Sequence, residues 1–119
     1  MILSRMDQYY ERLDGIFQAL ADPTRRAVLG RLGRGSASIS ELARPFDMAL
    51  PSFMKHIRLL EESGWIRTSK EGRVRTCSLE RRALASADAW LQRQRALWEG
   101  RADRLERFVI QAQKKERAQ

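Results

Sequence analysis

SELARPFDMALPSFMKHIRLLE, Ser40–Glu61, is the stretch whose pattern decides the fold. It reads as two short helices joined by a tight turn. Leu42 is the apolar position of the first helix, Phe46 and Met48 flank the turn, and Phe53, Ile57 and Leu60 recur at i, i+4 and i+7 in the second. That spacing puts one face of each helix into a core. The polar side of the second helix carries Ser52, Lys55, His56 and Arg58, side chains of the kind a helix-turn-helix presents to a nucleic-acid groove.

Upstream, Leu3, Met6, Tyr10, Leu13, Phe17 and Leu20 are spaced 3, 4, 3, 4, 3. They predict a first helix with one continuous apolar seam, which asks for a partner helix. In Ala21-Asp22-Pro23-Thr24 the Asp can cap a new helix and the Pro fits its first position. This second helix is expected to run through Arg34, to bury Ala27, Val28 and Leu32, and to end at Gly33 and Gly35. Ser36–Ile39 should be extended, with Ser40 and Glu41 opening the third helix. Pro45 keeps that helix brief or bent, and Asp47 is expected to take a left-handed turn conformation. Pro51 suits the first turn of the fourth helix, and Ser63-Gly64 its stop.

After Gly64 the period changes to two. Ile66 and Thr68, then Val74, Thr76 and Ser78, flank the polar tip Ser69–Arg73, with Gly72 where a positive φ is needed; this is a β-hairpin. A last long helix starts near Arg82 and carries Leu84, Ala87, Leu91, Trp98, Leu105 and Val109, with Trp90, Leu97 and Phe108 widening the stripe. A stripe of that width faces both its own domain and something else.

The 119 residues fit one domain, expected over 1–112, with 113–119 as a disordered basic tail. Twenty-three Lys plus Arg against 15 Asp plus Glu give a formal charge of +8, which favours a polyanionic partner. The single cysteine, Cys77, allows no internal disulfide. There is no signal peptide and no apolar run approaching the roughly 18 residues that span a bilayer, so a cytoplasmic protein without a membrane partner is expected. No phosphate loop or evident carboxylate pair is present, and His56 is the sole histidine. The chain is therefore not expected to be an enzyme.

The order of helix, Asp-Pro-Thr-Arg-Arg helix, helix-turn-helix, charged hairpin and long terminal helix resembles the ArsR-type winged-helix transcriptional repressors. The resemblance rests on ALADPTRRAVLGRL (Ala19–Leu32), ISELARPFDMALPSFMKHIRLLEESGWI (Ile39–Ile66) and the hairpin EGRVRTCSL (Glu71–Leu79). It implies a mainly α fold with a small β-hairpin wing, and a homodimer that binds double-stranded operator DNA as a repressor. It also implies long first and last helices forming the dimer interface, and on those two seams Met6, Tyr10, Leu13, Phe17, Leu91, Trp98, Leu105 and Val109 are the residues expected there. By position, Pro51, Ser52, Lys55, His56 and Arg58 fall in or beside the recognition helix, and Lys70, Arg73 and Arg75 on the wing. Two positions depart from the family's habit. Met54 stands where relatives often have Ser or Thr, and Ala49 stands where a Ser or Thr would cap the recognition helix.

The metal sites known in that family need a thiolate pair on the third helix or a His and carboxylate cluster on the last. Here the third helix reads ELARPF and the last has no histidine, so no metal and no cofactor is expected. Cys77 is a small, semi-buried strand residue, and a small-molecule or redox effector stays open. Two other functions compete with the repressor: a winged-helix protein–protein interaction module, and a non-specific nucleic-acid binder. The second would want aromatic platforms on the basic face, whereas the aromatics here fall on apolar stripes.

Overall fold

The computed structural model describes residues 5–118, the side chains of residues 6 and 7 excepted. Five helices and three strands follow in the order α1 (Arg5–Ala19), α2 (Pro23–Leu32), β1 (Ala37–Ser38), α3 (Ile39–Ala43), α4 (Leu50–Glu62), β2 (Ile66–Glu71), β3 (Val74–Leu79) and α5 (Arg81–Ala118). Packing divides them into two units, one up to Ala87 and one from Asp88 onward.

Local chemistry sets most of the boundaries in the first unit. The Asp22 carboxylate accepts from the Arg25 backbone N–H at 3.0 Å, and Pro23 occupies the first turn, so α2 starts where the sequence indicates. It ends at Leu32, two residues before the expected Arg34, with Gly33 still helical and Gly35 at φ +136°. Its inward face is Val28 and Leu32; Ala27, expected inside, is exposed.

The cap of α3 is Ser38, not Ser40. The Ser38 hydroxyl accepts from the Glu41 N–H, and the Glu41 carboxylate reaches back to the Ser38 N–H, a reciprocal capping box. The helix then stops at Ala43, before Pro45 can remove a bond from it. Asp47 is not left-handed: among the described residues only Gly35, Gly64 and Gly72 have positive φ.

The hairpin exists, and it is part of a larger sheet. Antiparallel strands lie in the order β1-β3-β2, with Ala37 opposite Cys77 and Ser38 opposite Thr76. On the other side of β3 the register runs from Ile66–Leu79 to Glu71–Val74. The two-residue turn places Gly72, at φ +62°, in its first position, as a type II′ hairpin requires.

One core serves the unit up to Ala87. Phe53, Leu60 and Cys77 are wholly buried, and Val28, Leu32, Leu42, Ile57, Trp65, Ile66 and Ala83 pack around them. Fully burying one large apolar side chain contributes about 1.5–3 kcal/mol, so Phe53, Ile57 and Leu60 fix how α4 is rotated about its axis. Trp65 ties α1 to this core, its indole N–H donating to the Ile16 carbonyl at 2.9 Å. From Asp88 the helix α5 runs on to Ala118 and includes 113–118, the segment expected from sequence to be a disordered tail.

Candidate nucleic-acid interface

At about 100° per residue, the burial of Phe53, Ile57 and Leu60 turns Pro51, Lys55 and Arg58 to the opposite side of α4, with Ser52 beside them. All four are exposed. No side chain caps α4 at Ala49, so its first N–H groups are left without a side-chain acceptor. Leu50, which no sequence motif singles out, is exposed at the same end.

His56 sits differently from the other polar residues of α4. It lies on the flank between core and solvent, its side chain 22% exposed, and its Nδ1 faces α2: Arg25 Nη1 is 3.2 Å away and Asp22 Oδ2 3.7 Å. Asp22 and Arg25 thus belong to the surroundings of α4. A contact spanning 31 residues leaves no trace in local sequence pattern. Partial burial raises the Asp22 carboxyl, but the Arg25 backbone N–H, the His56 ring and the Arg25 guanidinium outweigh it and hold the carboxyl below its ordinary value.

The C-terminal end of α4 is coupled to the wing. The Thr68 hydroxyl of β2 donates to Glu61 Oε2 at 2.9 Å, and the Trp65 carbonyl accepts from the Glu80 N–H at 2.9 Å. Lys70 and Arg75 are directly opposite each other on β2 and β3, Arg73 stands in the turn between them, and all three are exposed. Like charges paired across a ladder destabilise it. Among the described residues none of Lys55, Arg58, Lys70, Arg73 and Arg75 enters an ion pair. The structure therefore carries five uncompensated cations on the polar face of α4 and on the wing.

Cys77 is wholly buried at the centre of the sheet. Burial and the Glu61 carboxylate push its thiol up, only partly offset by Arg75, which is the opposite of what a reactive thiolate needs. Among the described residues no group of His, Cys, Asp and Glu side chains is placed to hold a metal ion.

The residues expected on the dimer seam separate. Met6 lies outside the described side chains. Leu13 is buried within its own chain and Phe17 is half-buried against the core. Tyr10 is 51% exposed. In the second unit Leu91, Trp98, Leu105 and Val109 are all exposed, as are Leu97, Phe108 and Ile110. Among the described residues no helix is long and apolar enough to cross a membrane.

A family model described as a helix-turn-helix domain matches residues 20–68. The HTH-type transcriptional regulator Rv2034 of Mycobacterium tuberculosis is 33% identical over 84 residues, covering 71% of this chain and 78% of that protein. The transcriptional repressor SdpR of Bacillus subtilis is 28% identical over 79 residues, 66% of this chain and 88% of its own. The crystal structure of an ArsR-family transcriptional regulator superimposes with a TM-score of 0.73 at 71% identity, covering 75% of this chain and 92% of that one. The winged helix-turn-helix with its exposed cations, together with these likenesses, shows that the chain belongs to the ArsR family of DNA-binding transcriptional regulators.

Proposed function

We propose that this regulator is a homodimeric repressor of an imperfect palindromic operator, with α4 entering the major groove and the β2–β3 wing lying along the flanking backbone. In this reading Pro51, Ser52, Lys55, His56 and Arg58 act from the helix and Lys70, Arg73 and Arg75 from the wing. The carrying observation is the set of five exposed cations without ion-pair partners, on two elements linked by the Thr68–Glu61 hydrogen bond. A Lys70–Arg75 pair that costs stability by itself is relieved when a phosphate lies over it. SdpR, a relative, is named a repressor, which supports the direction of regulation.

The exposed stripe of α5 supports the dimer. Leu84, Leu91, Trp98 and Leu105 recur every seventh residue and are exposed, the repeat of a two-helix seam. A second copy of α5 covers it, and the two-fold axis sets the two recognition helices about 34 Å apart, one turn of DNA. Residues 1–112 form the working DNA-binding and dimerisation unit, with 113–119 a basic tail, and the protein acts in the cytoplasm with its DNA.

The test is charge removal on α4 and the wing. Lys55→Ala and Arg73→Ala are expected to weaken operator binding with dimerisation intact. Each phosphate left without its cation should reduce the slope of log affinity against log salt by about 0.9. Unchanged affinity and salt slope in both variants would contradict the placing of these cations against DNA, whereas absence of operator binding by the wild type would favour the protein–protein interaction module, whose basic surface only solubilises it.

A further inference from the structure

We propose that Arg25 is a positioning residue that fixes the tautomer of His56, so that α4 offers its DNA an imidazole N–H donor at Nε2. The inference rests on the reading of α4 as the DNA-reading helix. A guanidinium has five N–H donors and no acceptor, and it stays protonated. Arg25 Nη1 lies 3.2 Å from His56 Nδ1. Only one proton assignment makes that contact a hydrogen bond: Arg25 donates, Nδ1 accepts with its lone pair, and the single proton of the neutral ring resides on Nε2.

Arg25 cannot easily turn away. Its Nε donates to the Ala19 carbonyl at 2.8 Å and its Nη2 to the Gln18 carbonyl at 3.1 Å. The guanidinium is thereby held by the end of α1 and aimed at α4. The competing tautomer would place the proton on Nδ1 and give it to Asp22. Asp22 Oδ2 is 3.7 Å from Nδ1, beyond hydrogen-bond range, and already accepts from the Arg25 backbone N–H at 3.0 Å.

Nε2 is left for a ligand. Both contacts of His56 to the described residues are at Nδ1, and no buried side-chain nitrogen or oxygen among them lacks a partner. Nε2, having none, therefore opens to solvent, one helical turn from the exposed Ser52. What it fits is a hydrogen-bond acceptor on DNA, either the N7 or O6 edge of a purine or a phosphate oxygen. Against a base edge, a donor at that point would be rejected and the Arg25–His56 pair would determine specificity; against a phosphate it would set register only.

His56 is the sole histidine, so an imidazole 1H–15N spectrum of the full chain shows one ring and needs no assignment. At alkaline pH the wild type is expected to show Nε2 protonated and Nδ1 bare, and Arg25→Met a mixture of tautomers. Should Arg25→Met not fold, Arg25→Lys, which cannot hold the same three acceptors, serves in its place. A wild-type ring protonated on Nδ1 would overturn the proposal.

Operator titrations supply the second arm. His56→Ala is expected to lose about tenfold in affinity, the size of one well-placed hydrogen bond, Arg25→Met to lose less, in proportion to the fraction of rings no longer protonated on Nε2, and His56→Gln, which keeps a donor at similar reach, also to lose less. Replacing operator guanines by 7-deazaguanine should weaken the wild type but not His56→Ala if the acceptor is a guanine N7, and affect the two alike if it is O6 or a phosphate oxygen. Wild-type affinity in His56→Ala would overturn the proposal. Absence of operator binding by the wild type would instead sink the reading of α4, leaving the tautomer result to stand by itself.

Discussion

Asp22 does two tasks at one position: it caps α2 and it lies beside the His56 ring of α4. Losing such a cap costs about 1 kcal/mol, so Asp22→Ala should lower the unfolding free energy at neutral pH by that amount, read from the denaturant midpoint. Acid makes the prediction sharper. Because the folded carboxyl titrates below its ordinary value, its contribution is complete above the unfolded carboxylate pKa of about 3.9 and is lost as pH falls through the lower folded value. Denaturant midpoints followed from pH 7 to pH 3 should therefore fall more in the wild type than in Asp22→Ala, and equal falls would show that the carboxylate contributes nothing. The cap itself is readable from the Asp-Pro-Thr sequence. The Arg25–His56 contact is not, because a pair 31 residues apart exists only after α2 and α4 have packed.

At the scale of elements, legibility follows how local the cause is. The apolar spacing of Phe53, Ile57 and Leu60, the Pro51 start, the Gly64 stop and the Gly72 turn are all short-range signals, and α4 with its hairpin stands where they place it. The β1 strand is two residues long and owes its existence to pairing with β3, which no local pattern encodes. The α3 cap differs from expectation for another reason. Ser38 and Ser40 compete for it, and only Ser38 has a Glu three positions on to complete the capping box. For α5 the seven-residue recurrence of Leu91, Trp98 and Leu105 predicts a seam with a second copy. Trp98, 64% exposed, and Leu105, 65% exposed, contribute little to their own chain. Trp98→Glu with Leu105→Glu should thus turn a dimer into a monomer by sedimentation equilibrium while the helix-turn-helix unit keeps its thermal transition. A variant that stays dimeric would place the seam elsewhere.

At the scale of the whole molecule the formal charge of +8 says what kind of partner to expect, while the placement of the cations says where it binds. Neither alone does both. Composition favours any polyanion; the five cations without ion pairs on α4 and the wing favour a duplex whose groove and backbone are engaged together. The operator and any effector are chosen by individual side-chain contacts and are not legible from charge or periodicity. The most direct test is a fluorescence-anisotropy titration against the DNA upstream of the protein's own gene, competed with a scrambled duplex at about 150 mM salt. Saturation at two subunits per site, with binding that survives the competitor, is the predicted result. Equal affinity for both duplexes, or binding to neither, would contradict a sequence-specific dimeric repressor.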